Sequence, residues 1–458
     1  MAEKKVSLVK TVLFTICSIL VLDSLAPAPA YFGVQSITMW VILTIVFFIP
    51  YGLLTAELGS TYPNDGGITY WSKLAFGEHV GIQVGWFYWT SCAFWMPSVF
   101  ITFSYWLSYK FFPNAPAAVM ALLAAAMCWL ICWIGIKGIE LSVTITAIAS
   151  LAKMAILIIF GILGFVYIAK YGSASDFSWQ SLKITSLGDM SSGIAVIAYN
   201  LLGFELIGSI GSKIKNPNKT IPKMTLLAGT VITLLYLFGT FGILAALSQV
   251  DALDGFYFAL EELCRVFGGG QDAVLGVLVI ISCLTLVSNM IAWTLGSNEA
   301  LIAADLDKRS AFLAHRSKKH GTADNLYIVM GILSTIMIVL NFAFGSDDAN
   351  AIFWDIASFS YVVFLIPYLV EFSAAIRLRY KDKETVRVYS VPGGTAGMWV
   401  CGILCLICVG ASIYFLFADD IAAGNMFAFW VKLIGTILCF LSGEILYRSG
   451  KARTVKQA

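Results

Sequence analysis

The sequence predicts an all-α, polytopic membrane protein of twelve spans, organised as a single membrane domain over residues 1–458. Three observations carry that prediction. Of 458 residues, 59% are hydrophobic and 12% charged, and the mean hydropathy is +0.85; soluble chains of this length do not have that balance. Apolar runs repeatedly reach the ~20 residues a membrane helix needs, not the short alternating segments of a transmembrane barrel. The basic residues, finally, are sorted between alternate loops.

The first span, 8–33, follows a short basic N-terminus. Its apolar run has no convincing small-residue cleavage site, so it reads as a retained span rather than a signal peptide. Asp23, Pro27 and Pro29 interrupt it. A carboxylate at this depth costs ~2.5–3.5 kcal/mol on insertion scales, and the prolines lack backbone donors. Broken backbone inside a membrane persists where protein covers it or where it lines a wet cavity. Asp23 is therefore expected to face a cavity, either capping the second half of the span or binding a cationic amine.

The next four spans are read at 35–58, 80–109, 117–135 and 142–168. Lys153 lies mid-span in the last of these, too central to snorkel easily, and is expected to tie span five to span one. The sixth span, 190–211, is the second interrupted one: Tyr199-Asn200-Leu201-Leu202-Gly203-Phe204-Glu205. Gly203 permits a backbone excursion, and Glu205 is a second intramembrane carboxylate. Spans seven to twelve are read at 222–247, 272–300, 325–345, 350–376, 396–417 and 425–446.

With the N-terminus placed inside, 23 of the 29 Lys and Arg fall on the inner side and four, Lys110, Lys170, Lys183 and Arg265, on the outer, while Lys153 and Lys432 lie within spans. The positive-inside rule then puts both termini in the cytoplasm. The outer loops carry Asp251, Asp254, Glu261, Glu262, Asp347, Asp348, Asp419 and Asp420.

Two broken helices five spans apart predict an inverted repeat, 6–168 and 190–376, with spans eleven and twelve (396–446) appended. Such paired breaks point to a transporter's midplane binding site. Asp23 with Ser24 at one break, and Gly203, Phe204 and Glu205 at the other, are the candidate substrate ligands. Aromatic faces bind ammonium and guanidinium groups, which adds Tyr199, Phe204 and Trp293 as a cage. A carboxylate ligand would want bare backbone amides, usually on glycines. The first break has no glycine, which favours an amine.

Ten cysteines lie almost entirely in apolar runs and read as small buried hydrophobes. Cys401, Cys405 and Cys408 have helical spacing but no His or carboxylate beside them, so no metal or other cofactor is expected. No catalytic motif supports an enzyme, and the basic loops are explained by topology rather than by nucleic acid. The expected partners are the lipid bilayer and a small cationic amine or amino acid; a homodimer is left open.

Two stretches resemble the amino acid–polyamine–organocation transporters. They are Ala56-Glu57-Leu58-Gly59-Ser60-Thr61-Tyr62-Pro63-Asn64-Asp65-Gly66-Gly67, and Gly203-Phe204-Glu205 with Lys215-Asn216-Pro217 and Thr220-Ile221-Pro222. The resemblance implies alternating access on a LeuT-like 5+5 inverted repeat in a bacterial plasma membrane. It also implies a gating aromatic at Tyr199, a gate and proton-coupling role for Glu205, a tryptophan closing over substrate at Trp293, and a lysine at a vacated sodium site at Lys153. The chain departs from the glycine-serine-glycine break of many amino-acid members. Its Leu22-Asp23-Ser24-Leu25-Ala26-Pro27 is similar to the glutamate/γ-aminobutyrate branch and, within it, to agmatine–putrescine exchangers. Exchange of an amino acid for its decarboxylation product, such as glutamate for γ-aminobutyrate or tyrosine for tyramine, is the alternative.

Overall fold

Proline and glycine set where the helices of this chain start, widen and stop. The computed structural model describes residues 5–184, 191–343 and 347–457, with backbone alone at 191–193, 347–357 and 451–457. Asp347 and Asp348 of the expected acidic loop, and residue 190 at the expected start of the second repeat, therefore fall outside the described side chains and residues.

In chain order the main helices are α1 (Leu8–Ile19), α2 (Pro27–Phe32), α3 (Gln35–Thr61), α4 (Ile68–Phe76), α5 (Glu78–Phe111), α6 (Ala117–Lys137), α7 (Ile139–Tyr171), α8 (Ser191–Asn200), α9 (Pro217–Ala246), α10 (Gly255–Leu263), α11 (Gln271–Ile302), α12 (Asp324–Ala343), α13 (Asp347–Lys381), α14 (Gly394–Ala422) and α15 (Met426–Gln457). Two isolated bridges, Val6 to Ile214 and Asp65 to Ile210, are the β-pairing among the described residues. Nine helices there are long and apolar enough to cross a membrane, or ten with α1 and α2 taken as one broken span bent by 60°. The expected third and sixth spans fall on the 34-residue, aromatic-rich α5 and on α8 with the 3-10 turn Phe204–Ser209, which are not among those nine or ten. Expected ends shift by several residues. The seventh span starts at Pro217 rather than 222, because a proline in the first turn of a helix gives up no hydrogen bond.

In α3 the chain widens into a π-helical turn over Thr44–Phe48, immediately before Pro50. Pro50 donates no backbone hydrogen bond, so the ladder is already broken where the bulge forms. Tyr51 follows directly. At the second break Gly203 takes φ +134°, and a Cβ there would lie 2.9 Å from Ile19 Cγ1 and 3.4 Å from Trp293. Glycine thus permits both the turn and the close approach of the two breaks.

One end of the bundle is sealed by backbone. Val6 N–H donates to Lys213 O and Lys215 N–H to Val6 O, while Gly66 and Gly67 N–H donate to Ser209 O and Gly208 O. The Asp65 carboxylate accepts from Ser212 N–H and Oγ. At the same end Glu57 holds Arg379 and Arg387 and accepts from Val391 N–H at 2.7 Å, pinning the loop after α13.

Candidate functional site

Breaking α1 after Ile19 frees carbonyl groups that α2 cannot reach. Buried carbonyls must find donors, and four other elements supply them. Lys153 of α7 donates to Cys17 O at 3.2 Å and Leu20 O at 2.6 Å. Asn289 of α11 donates to Cys17 O at 2.7 Å, and Trp293 to Ser18 O at 2.9 Å. Tyr236 of α9 lies within hydrogen-bond reach of both Ile19 O, at 2.7 Å, and Asn200 O, at 3.0 Å, one from each break. Asn200 in turn donates to Ser24 O at 2.7 Å.

The two breaks border a cavity of about 320 Å³. Asp23 and Ser24 line it from the first break, and Tyr199 and Asn200 from the second. Trp95, Trp293, Tyr361 and Phe364 wall it, with hydroxyls at Ser98 and Thr102. The rings form one continuous set. Trp95 stands edge-on to Trp293 at 5.6 Å, Tyr199 meets Tyr361 at 5.0 Å and Phe364 at 4.9 Å, and Trp293 meets Phe364 at 5.3 Å. Asp23 Oδ1 is buried and has no hydrogen-bond partner, and no side chain caps α2. Lys432 lies at the wall too, held by Asp420 at 2.7 Å and by Leu416 O at 3.0 Å. A carboxylate oxygen without a partner, at a cavity walled by aromatic rings, can take a cation by charge, hydrogen bond and ring face together.

Of the residues expected in the site, Asp23, Ser24, Tyr199 and Trp293 share this cavity; Gly203, Phe204, Glu205 and Lys153 do not line it. Phe204 instead stacks on Phe48 at 4.7 Å and tilts against Tyr51 at 5.3 Å. The 3-10 twist after Gly203 sends it toward α3 rather than into the cage. Lys153 is fully buried and spent on the first break's carbonyls. Glu205, also fully buried, accepts hydrogen bonds from Tyr51, from Tyr88 at 2.5 Å and from Tyr368 at 2.7 Å. Tyr51 Oη accepts in return from Gly203 N–H at 3.0 Å and Phe204 N–H at 2.8 Å. Glu205 reaches the cavity wall only through Tyr88, whose ring centroid lies 6.0 Å from that of Trp293 and 6.1 Å from that of Phe364, both of which line the cavity. Sequence reasoning missed this three-tyrosine cage, and also Asn200, Tyr236 and Phe364. No local signal marks them, because their partners lie tens to hundreds of positions away.

Comparison with known proteins gives a consistent picture. The chain matches the amino acid permease family model over residues 6–440. It is 30% identical over 414 residues to a probable agmatine/putrescine antiporter of Lactococcus lactis, covering 90% of this chain and 88% of that one. It is 27% identical to an aspartate/glutamate permease of the same species, covering 89% and 86%, and 24% identical to a probable polyamine transporter of Arabidopsis thaliana, covering 91% and 78%. Its fold is similar to that of a manganese transporter of Eremococcus coleocola solved with an aromatic bis-isothiourea compound, with TM-score 0.60, 12% identity and coverage of 97% and 95%. These relatives are membrane transporters and permeases, not enzymes, and this chain belongs to the amino acid permease family, within the amino acid–polyamine–organocation superfamily.

Proposed function

We propose that the protein exchanges agmatine for putrescine, or a closely related pair of cationic amines, by alternating access. The observation that carries this reading is the unpartnered Asp23 oxygen at a cavity walled by Trp95, Tyr199, Trp293, Tyr361 and Phe364. One amine or guanidinium end binds Asp23, with Tyr199 and Trp293 over the chain. In this conformation Glu205 does not line the cavity, and the other cationic end meets it once the cavity wall swings aside. Lys153 stands as a fixed internal cation at the place a sodium ion would otherwise hold. The likeness to the probable agmatine/putrescine antiporter supports the substrate class.

The architecture goes with this reading. Five-span inverted repeats over 6–168 and 190–376, with 396–446 appended, make twelve spans in a bacterial plasma membrane, both termini cytoplasmic. The cavity lies toward Leu253 and Lys432, on the side that the charge count places outside. The sealed end at Val6, Asp65 and Ser212 is then the closed inner gate.

The test is exchange in proteoliposomes. Loading with putrescine should accelerate entry of labelled agmatine several-fold. Absence of that stimulation, together with robust uptake of an amino acid, would overturn the proposal. The second reading, an amino acid exchanged for its decarboxylation product, draws on the likeness to an aspartate/glutamate permease. Competition separates the two: carboxylate-free amines should outcompete their parent amino acids under the first and not under the second.

A further inference from the structure

A third carboxylate lies inside the bundle, away from the cavity. Glu371 of α13 is fully buried. Its Oε1 accepts from Thr55 Oγ1 at 3.0 Å, and its Oε2 is buried with no partner. No ion pair involves it among the described residues. Its position follows from two helices in register. On α13, Glu371 is one turn beyond Tyr368; on α3, Thr55 is one turn beyond Tyr51. Tyr368 and Tyr51 both bond Glu205, so Glu371 occupies the next layer, on the far side of Glu205 from the cavity. The groups facing it are Tyr51 and Thr55 from α3, Glu205 from the second break and Cys405 from α14. Tyr88 of α5 is engaged by Glu205. Charges on the other elements packed on α13 are committed elsewhere: Lys73 of α4 to Asp305, Asp324 of α12 to His315, and Glu444 of α15 to His79 and Arg448.

A desolvated carboxylate with an unpartnered oxygen, no facing cation and a second carboxylate in the adjacent layer is favoured to take up a proton. We propose that Glu371 is a proton-binding site, and that a proton held there serves as the counter-cation when no amine is available on the opposite side. The proton enters from the acidic side, rides on Glu371 as the carrier returns and leaves on the other side; amine binding near Glu205 favours its release. The proposal rests on the exchanger reading only for its transport arm.

The experiment uses proteoliposomes without counter-amine and with an acidic lumen. Wild type should take up labelled agmatine several-fold faster than without the pH gradient, and a protonophore should abolish the difference. Glu371→Gln should fall to the no-gradient rate while keeping putrescine-loaded exchange within about twofold of wild type. Gradient-driven uptake preserved in Glu371→Gln, or absent from a wild type that exchanges amines well, overturns the proposal. Infrared spectroscopy reads the site without transport. A protonated-carboxyl C=O band should be present at neutral pH, shift in Thr55→Val and vanish in Glu371→Gln; its absence from the wild type also overturns the proposal. If that band is present but no amine is exchanged, the exchanger reading fails and the proton site stands.

Discussion

Asp23 and Glu205 are both carboxylates buried at broken helices, and their surroundings give them opposite tasks. Glu205 has its oxygens filled by three tyrosine hydroxyls, whereas Asp23, which lines the cavity, keeps one buried oxygen without a partner. Removing one partner of a buried charge pair costs roughly 2–5 kcal/mol. Asp23→Asn should therefore weaken agmatine binding by about 30-fold or more, measured by calorimetry, with the ligand-free melting temperature little changed. Unaltered affinity would return Asp23 to a structural role. Glu205→Gln should behave differently. Equilibrium binding to this conformation should stay within about threefold of wild type, because Glu205 does not line the cavity. Exchange should fall at least tenfold, because the second cationic end loses its partner. A fall in both measures would place Glu205 in the first encounter with substrate.

The breaks themselves show how far sequence alone reaches. Asp23, Pro27, Gly203 and Glu205 mark them because each is chemically wrong for an uninterrupted membrane helix. Glu371 is wrong in the same way, a carboxylate deep in the apolar run of α13, and the same criterion would have found it. The donors that make the breaks tolerable are not legible, because Tyr236, Asn289 and Asn200 are ordinary residues in ordinary helices until the fold brings them to Ile19, Cys17 and Ser24. Phe204 was expected in the cage from its neighbourhood in sequence. One glycine with positive φ was enough to turn it onto Phe48. Tyr236 lies within reach of one carbonyl from each break, and its single O–H can donate to one of them. Tyr236→Phe should therefore cost about 1–3 kcal/mol by leaving a buried carbonyl without a donor. A lowered melting temperature with unchanged helical content would be the signature; no change would mean that the Tyr236 hydroxyl is not needed to hold the breaks.

Across the whole molecule, the proposed exchange would require the sealed end to open, and its ion pairs would set how firmly it is shut. Lys73 of α4 reaches Asp305, in the loop after α11, which Lys308 also approaches at 3.4 Å. Partial burial alone would raise the Asp305 carboxyl, but the hydrogen bond and charge of Lys73, joined by Lys308, outweigh it and hold the group below its ordinary 3.8. A carboxyl depressed in the folded state adds stability that is complete above the unfolded value and is lost as pH falls through the folded one. The pair is partly open to solvent, so its contribution is below about 1 kcal/mol. Asp305→Asn is a clean probe, because Asp305 sits at φ +58°, a left-handed conformation that asparagine tolerates as well as aspartate. The variant should melt slightly below wild type at neutral pH, and the gap should close as pH drops below about 4. A gap that persists unchanged into acid would show that Asp305 acts through its turn geometry rather than its charge, and the sealed end would then be held mainly by Glu57 with its two arginines and by the backbone seal.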